Sequence, residues 1–191
     1  MKSDMSDLTR KLKPVLAPMS KKEERQAVKS AVEHLIAEIG SGHDLRYRIL
    51  GAEIRIEKPP RRGDVPDRLI RVLIADYSNQ HNLDISVNHK GKVVQSEVLR
   101  GLQPAFHPDE IQEAKEFAER DKRVARLAKI SGSFASAFAS DLALERGRRL
   151  VGLHYLAVAK SGEVKPLATL VVDLASGEIV NFRDDKVEGG S

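Results

Sequence analysis

The side chains best equipped for recognition chemistry are two arginine pairs. Arg61-Arg62 and Arg148-Arg149 each precede a strand-like segment, and a guanidinium offers a planar fork of donors that matches a carboxylate or a phosphate. With Lys58 they form the candidate contact set for an anion or a partner: Lys58, Arg61, Arg62, Arg148 and Arg149. The competing reading of each pair is a solvated loop. Other reactive residue types lack the spacing their chemistry needs. The six histidines, at 34, 43, 81, 89, 107 and 154, include no pair two apart and no short-range ligand spacing. Ser131-Gly132-Ser133 lacks the Gly-x-Ser-x-Gly elbow of a hydrolase nucleophile, and a serine at such a boundary reads as a helix cap. Glu23-Glu24 and Asp184-Asp185 are adjacent near element ends, which suits a solvated surface better than acid–base work. No glycine-rich loop has phosphate-binding spacing. There are no cysteines, so disulfide, thiolate-metal and cysteine-nucleophile chemistry are excluded. The residues alone therefore assign no catalytic, cofactor-binding or metal-ligating group.

The chain has 191 residues, 41% hydrophobic and 31% charged, enough to bury a core without a disulfide or metal staple. Its net charge is +4, unevenly spread. Residues 1–100 hold 19 Lys/Arg against 14 Asp/Glu, an excess of +5, while residues 101–191 hold 13 against 14. A basic first half can attract nucleic acid or an anionic surface. Interleaved acids (Asp44, Glu53, Glu57, Asp64, Asp67) and a total of only 5 Phe and 3 Tyr, with no Trp, make nucleic acid a disfavoured partner. No apolar run approaches the ~20 residues of a membrane helix. Met1–Lys13 lacks the apolar stretch of an export signal, so a cytoplasmic protein with no membrane contact is expected.

The elements that must position these groups follow from periodicity. Residues 1–19 read as a polar arm ending in Pro14 and Pro18. Ser20 and Glu23 have capping-box spacing. Ala27, Val28, Ala31, Val32, Leu35, Ile36 and Ile39 then form one helical face, with Gly40 as C-cap. Ala52, Ile54 and Ile56 predict a strand that Pro59-Pro60 ends, and Leu69–Ala75 a central strand. Leu83, Ile85 and Val87 alternate with Asp84, Ser86 and Asn88, predicting one buried and one wet face. Lys90-Gly91 reads as a turn into Val93–Leu99. A second helix is expected from His107-Pro108, carrying Ile111, Ala114, Phe117 and Ala118 and continuing through Val124, Leu127 and Ala128 to Gly132. Phe134, Phe138 and Leu142, four apart, predict a short helix over 133–147. Strands follow at Leu150–Ala159, Leu167–Leu174 and Glu178–Phe182.

A shift of 86 residues places Gly91 on Gly177, Lys92-Val93-Val94 on Glu178-Ile179-Val180, Ile85 on Val171 and Glu24 on Glu110. Helix, hairpin and final strand agree at one offset, which predicts a tandem repeat of an αβββ unit. The expected fold class is α+β: two cystatin-like units, each a helix packed on a curled antiparallel sheet. The predicted organisation is an arm at 1–19, a first domain at 20–100, a second at 101–186 and a tail at 187–191.

Three segments then resemble the two small N-terminal domains of copper-containing amine oxidases. Ile54-Arg55-Ile56-Glu57-Lys58-Pro59-Pro60 is similar to a strand ending in that family's Glu-Pro-Pro-Lys-like corner. Gly101-Leu102-Gln103-Pro104, followed by Asp109-Glu110, is similar to its Gly-x-Gln-Pro link into the next helix. Leu170-Val171-Val172-Asp173-Leu174 with Gly177-Glu178-Ile179-Val180 and Asp184 is similar to its closing hairpin. The resemblance spans about residues 14–186 and departs from the family at 133–147. The family's quinone forms from the Tyr of Thr-x-x-Asn-Tyr-Asp/Glu, whereas Tyr47, Tyr77 and Tyr155 here follow Arg46, Asp76 and His154. Its copper needs a His-x-His pair that this sequence lacks. The resemblance thus implies that copper and topaquinone belong to a catalytic domain outside these residues, with no cofactor on this chain. The leading expectation is a non-catalytic interaction module for a protein or peptide, the partner being an amine oxidase catalytic domain, another copy of the chain or another protein. The alternatives are a truncated or separately encoded part of a copper/quinone primary amine oxidase, oxidising amines only together with the catalytic domain, and a binder of nucleic acid or anionic surfaces through the basic first half.

Overall fold

A computed structural model describes residues 2–39, 45–59, 61, 64–100, 103–140 and 148–185. The chain divides into two compact units, one of residues 1–75 and 83–98, the other of residues 76–82 and 99–191. In order, the first half supplies helices α1 (Lys2–Leu16) and α2 (Lys21–Ile39) and strands β1 (Tyr47–Glu57), β2 (Asp67–Asp76), β3 (His81–Asn88) and β4 (Val93–Leu99). The second supplies α3 (Pro108–Glu119), α4 (Lys122–Ala128), β5 (Ser133–Ala139), β6 (Leu150–Val158), β7 (Val164–Asp173) and β8 (Glu178–Asp184). The strands form two four-stranded sheets, β1-β2-β3-β4 and β5-β6-β7-β8. The fold is α+β, two repeated units of helix and antiparallel sheet, with four strands per unit rather than three.

In the first unit the capping box forms as expected. The Ser20 amide donates to Glu23 Oε2 at 2.8 Å and the Glu23 amide donates to Ser20 Oγ at 3.2 Å. Ser20→Ala removes one of these acceptors and should cost about 1 kcal/mol in a denaturant titration of the full chain. One stripe of α2, Ala27, Ala31 and Leu35, packs on Ile70, Val72 and Ile74 of β2 and on Leu83, Ile85 and Val87 of β3. Alanines at one-turn spacing let the helix lie close to the sheet. Each fully buried Ile, Leu or Val contributes about 1.5–3 kcal/mol. The segment expected as an arm is largely helical: α1 runs to Leu16, with Pro14 in its last turn, where its missing amide removes one bond to the preceding turn.

Strand β3 departs from the expected one-wet-face pattern. Leu83–Val87 is buried on both faces, Asp84 and Ser86 included. The reason is a cross-strand ladder on the polar face. Arg71 of β2 donates from Nε to Asp84 Oδ2 at 2.7 Å and from Nη1 to Glu53 of β1 at 2.9 Å. Its long stem covers surface that alternation alone assigns to water.

In the second unit two expectations are corrected. The single helix to Gly132 is two: Asp121, in an extended conformation, accepts from the Arg123 amide and starts α4. Hydrogen bonds from the Arg123 side chain and then from its backbone hold the Asp121 carboxyl down at about 2. The Arg123 side chain turns back on the same carboxylate, Nη2 to Oδ2 at 2.8 Å. Second, residues 133–139 are strand, not helix, while 141–147, with Leu142 and Gly147, lie outside the described residues. A spacing of four puts Phe134 and Phe138 on one face of a strand as readily as on one face of a helix. Pairing with β6 decides between them. Phe138 stands opposite Gly152, and a Cβ on Gly152 would come within 2.4 Å of the Phe138 ring. The ring lies over that bare backbone and stacks on His154, centroids 4.2 Å apart.

Candidate functional site

The most completely engaged polar centre lies in the second unit at the start of α3. His107 is the N-cap of that helix and Glu110 its N3 residue; the His107 amide donates to Glu110 Oε2 at 2.8 Å. Arg149, directly before β6, donates to the same carboxylate from Nε (2.8 Å) and Nη2 (2.7 Å). Tyr77 adds its hydroxyl at 2.9 Å. The carboxylate thus accepts four hydrogen bonds, which fills its capacity. Arg149 also donates to the carbonyls of Pro104 and Ala105 and lies over the Phe106 ring. Both charges are buried, Glu110 fully and Arg149 to 3% exposure. Burial pushes the Glu110 carboxyl up, but the Arg149 hydrogen bonds and charge, with the His107 amide and Tyr77 behind them, hold it below its ordinary value. A carboxylate locked in this way has no lone pair for a substrate proton and is a clamp, not a base.

The first unit repeats the device in weaker form. Arg68, near the start of β2, donates to the carbonyls of Val15 and Ala17 and lies 3.4 Å from Glu23, the N3 residue of α2. Each unit therefore ties an arginine at or just before the start of its second strand to the N3 glutamate of its capping box and to carbonyls that precede the helix. The two clamps do not follow the 86-residue shift, which places Glu24 rather than Glu23 on Glu110 and Arg68 on His154.

Next to the first clamp is a cavity of about 310 Å³, lined by Lys22, Glu23, Gln26, Ala27, Arg68, Ile70, Asn88, His89 and Gly91. Its polar groups divide in two. Glu23, Arg68 and Asn88 are spent internally, Asn88 Oδ1 accepting from the Lys90 and Lys92 amides. Lys22 and His89, both exposed, have no hydrogen-bond or ion-pair partner among the described residues. The cavity therefore joins an apolar floor, Ala27 and Ile70, to a rim with unspent basic groups.

The structure does not gather the basic residues singled out from sequence into one site. Lys58 and Arg61 are exposed, and Arg62 lies outside the described residues. Arg148 donates to Gln80 at 3.0 Å and lies 3.4 Å from Asp173. Arg149 is turned inward and its fork is filled by Glu110 and two carbonyls, so it offers nothing to a partner. Of the histidines, His107 caps α3, His34 lies 3.0 Å from Glu38, His81 3.4 Å from Asp76, and His154 3.0 Å from the Thr169 hydroxyl; His43 falls outside the described residues. Among the described residues no three His, Asp or Glu side chains converge as metal ligands would. Sequence reasoning missed Lys22 and His89, which lie 67 positions apart with no motif linking them. It also missed the clamp, whose one legible signal is the box glutamate at 23 and again at 110.

No protein-family model and no curated protein matches this chain. Among solved structures its fold is similar to part of a copper-containing benzylamine oxidase from Hansenula polymorpha, with a TM-score of 0.56 at 14% identity over 87% of this chain. The chain spans 29% of that oxidase's length. The Bacillus megaterium YpeB C-terminal domain aligns over 91% of this chain and 66% of its own, at 12% identity and a TM-score of 0.29, too low to carry an argument. The similarity to the oxidase is one of fold.

Proposed function

We propose that this chain is a non-catalytic interaction module of the amine-oxidase N-domain kind, and that its first unit takes an acidic segment of a protein or peptide. One observation carries the reading: Lys22 and His89 stand without partners among the described residues, at the rim of a cavity whose floor is apolar. An apolar side chain fills such a floor while flanking carboxylates meet the basic rim, which favours acidic partners and repels basic ones. The excess of +5 over residues 1–100 acts in the same direction. The fold similarity to part of an oxidase is compatible with a module that carries neither copper nor quinone.

The test is a fluorescence-anisotropy titration of the full chain against two labelled peptides, a leucine flanked by glutamates and the same leucine flanked by lysines. The acidic peptide is expected to bind, to weaken as salt rises, and to lose about five- to tenfold in affinity on Lys22→Glu. Equal affinity for both peptides, or no binding of either, overturns the reading. Stoichiometric copper together with a positive quinone stain on the purified chain overturns its non-catalytic part.

A further inference from the structure

One edge of the second sheet is unlike the other sheet edges. An edge strand exposes unpaired main-chain groups, and charged side chains or proline commonly keep other strands away from it. Of the four strands that end the two sheets, β1 carries Glu53 and Arg55, β4 carries Glu97, and β8 carries Glu178 and Arg183. β5 reads Ser-Phe-Ala-Ser-Ala-Phe-Ala, with no charge and no proline. Phe134 is 45% exposed, and Ser136 and Ala139 are exposed as well.

The register fixes which main-chain groups of β5 point outward. β5 pairs with β6 without a slip, from Ser133 opposite Ala157 to Ala139 opposite Val151. The Val158 amide donates to the Gly132 carbonyl at 3.1 Å, so Gly132 and Val158 are a hydrogen-bonded pair of this ladder. Antiparallel pairs alternate. Phe134, Ser136 and Phe138 therefore bond to β6, while Ser133, Ala135, Ala137 and Ala139 turn their main-chain groups to the open side. The Ser133 amide is spent on the Ile130 carbonyl at 3.0 Å. Among the described residues no strand pairs with that side of β5.

This edge also reads the same in both directions. Phe134-Ala135-Ser136-Ala137-Phe138 is a palindrome centred on Ser136. An antiparallel strand from a second copy, related by a two-fold axis at Ser136, therefore meets identical chemistry from both sides. Ala135 then faces Ala137 of the second copy, and these are the residues whose main-chain groups are turned outward to exchange hydrogen bonds. Ser136 faces Ser136 of the second copy as a non-hydrogen-bonded pair. Phe134 lies opposite Phe138 of the second copy, an aromatic cross-strand pair on one sheet face. This register overlaps the whole strand, Ser133 to Ala139.

We infer that β5 pairs with β5 of a second copy, antiparallel and centred on Ser136, so that the sheets of two second units become one continuous sheet. The contact closes on itself: it uses up β5, and the far edge, β8, is charged, so assembly stops at the pair. It shares no residue with the cavity of the first unit and stands or falls independently of the function proposed above.

The experiment is sedimentation velocity of the full chain over a micromolar-to-millimolar series. A monomer–dimer equilibrium is expected, weak because one strand from each copy buries less than a standard interface. Ser136→Lys sets two like charges opposite each other at the axis. It should weaken the dimer by about tenfold or more and regain part of the loss as salt rises. The melting temperature of the dilute protein should hardly change, since Ser136 is exposed. Ser136→Cys tests the register. The chain has no cysteine of its own, and the Cα atoms of a non-hydrogen-bonded antiparallel pair lie about 4.5 Å apart, within the reach of a disulfide. Mild oxidation should link this variant into dimers much faster than Ser161→Cys, which is exposed in the β6–β7 turn. A chain that stays monomeric through the series overturns the inference. So does a dimer that Ser136→Lys leaves intact, or a Ser136→Cys protein that cross-links no faster than Ser161→Cys.

Discussion

Glu110→Ala should destabilise the second unit by about 3–5 kcal/mol, because it strands the Arg149 guanidinium, 3% exposed, without its counter-charge. The loss is read by denaturant titration, with hydrogen exchange assigning it to α3 and β6. The matching change in the first unit, Glu23→Ala, should cost about 1 kcal/mol, since Arg68 there keeps its carbonyl partners and Glu23 is 43% exposed. The contrast tests whether burial, rather than the pairing itself, sets the magnitude. A double variant with Glu110→Leu and Arg149→Met should lose less than Glu110→Ala alone, since no unpaired charge is left inside. Equal losses at Glu110 and Glu23 would show that the second clamp is wet in solution. The clamp also has a pH signature. The folded Glu110 carboxyl lies below its ordinary value of 4.5. Its stabilisation is therefore complete above that pH and is lost as pH falls through the lowered folded value. In Glu110→Gln this acid-side loss should be smaller.

The second large effect is expected at Gly132, which joins α4 to β5 with φ +75. A side chain there meets two penalties. The left-handed backbone costs a non-glycine residue about 1–2 kcal/mol. A Cβ would also come 2.9 Å from the Val158 carbonyl oxygen, an atom of the backbone that cannot swing away as a side-chain tip does. The Val158 amide in turn donates to the Gly132 carbonyl at 3.1 Å, so relieving the clash weakens the bond that closes the β5–β6 end of the sheet. Gly162 is the natural control. It has φ +85 but open space around the added Cβ, so Gly162→Ala carries the conformational cost alone. Gly132→Ala should exceed Gly162→Ala by 1 kcal/mol or more, on the scale of an added steric contact (~1–3 kcal/mol). Equal effects would mean that the carbonyl contact is absent in solution.

Much of the architecture was legible because it is local. The box at Ser20 and Glu23, the helix start at His107-Pro108, and the turns at Gly91 and Gly177, φ +74 and +73, are short patterns whose physics involves a few neighbouring residues. Alternation over 83–87 and the stripe of Ala27, Ala31 and Leu35 located the first core for the same reason. Errors arose where two periods coincide or where a distant residue intervenes. The spacing of Phe134 and Phe138 satisfies both helix and strand. The wet face assigned to β3 was covered by Arg71, whose reach alternation does not record. The break at Asp121 was hidden because Val124, Leu127 and Ala128 continue the apolar rhythm of α3 across it.

The candidate sites were far less legible. Arg148 and Arg149 are neighbours of one type, yet one pairs near the surface with Gln80 and Asp173 while the other is the hub of a buried clamp. Sequence by itself determined that this chain would build two helix-on-sheet units with capped helices and a repeated turn, since those features depend on contacts a few residues apart. Only tertiary structure decided which arginine turns inward, that 133–139 pairs as a strand, and that the Tyr155 hydroxyl is buried without a partner among the described residues. Each of these depends on residues far apart in the chain meeting across a sheet, and no local pattern carries that information.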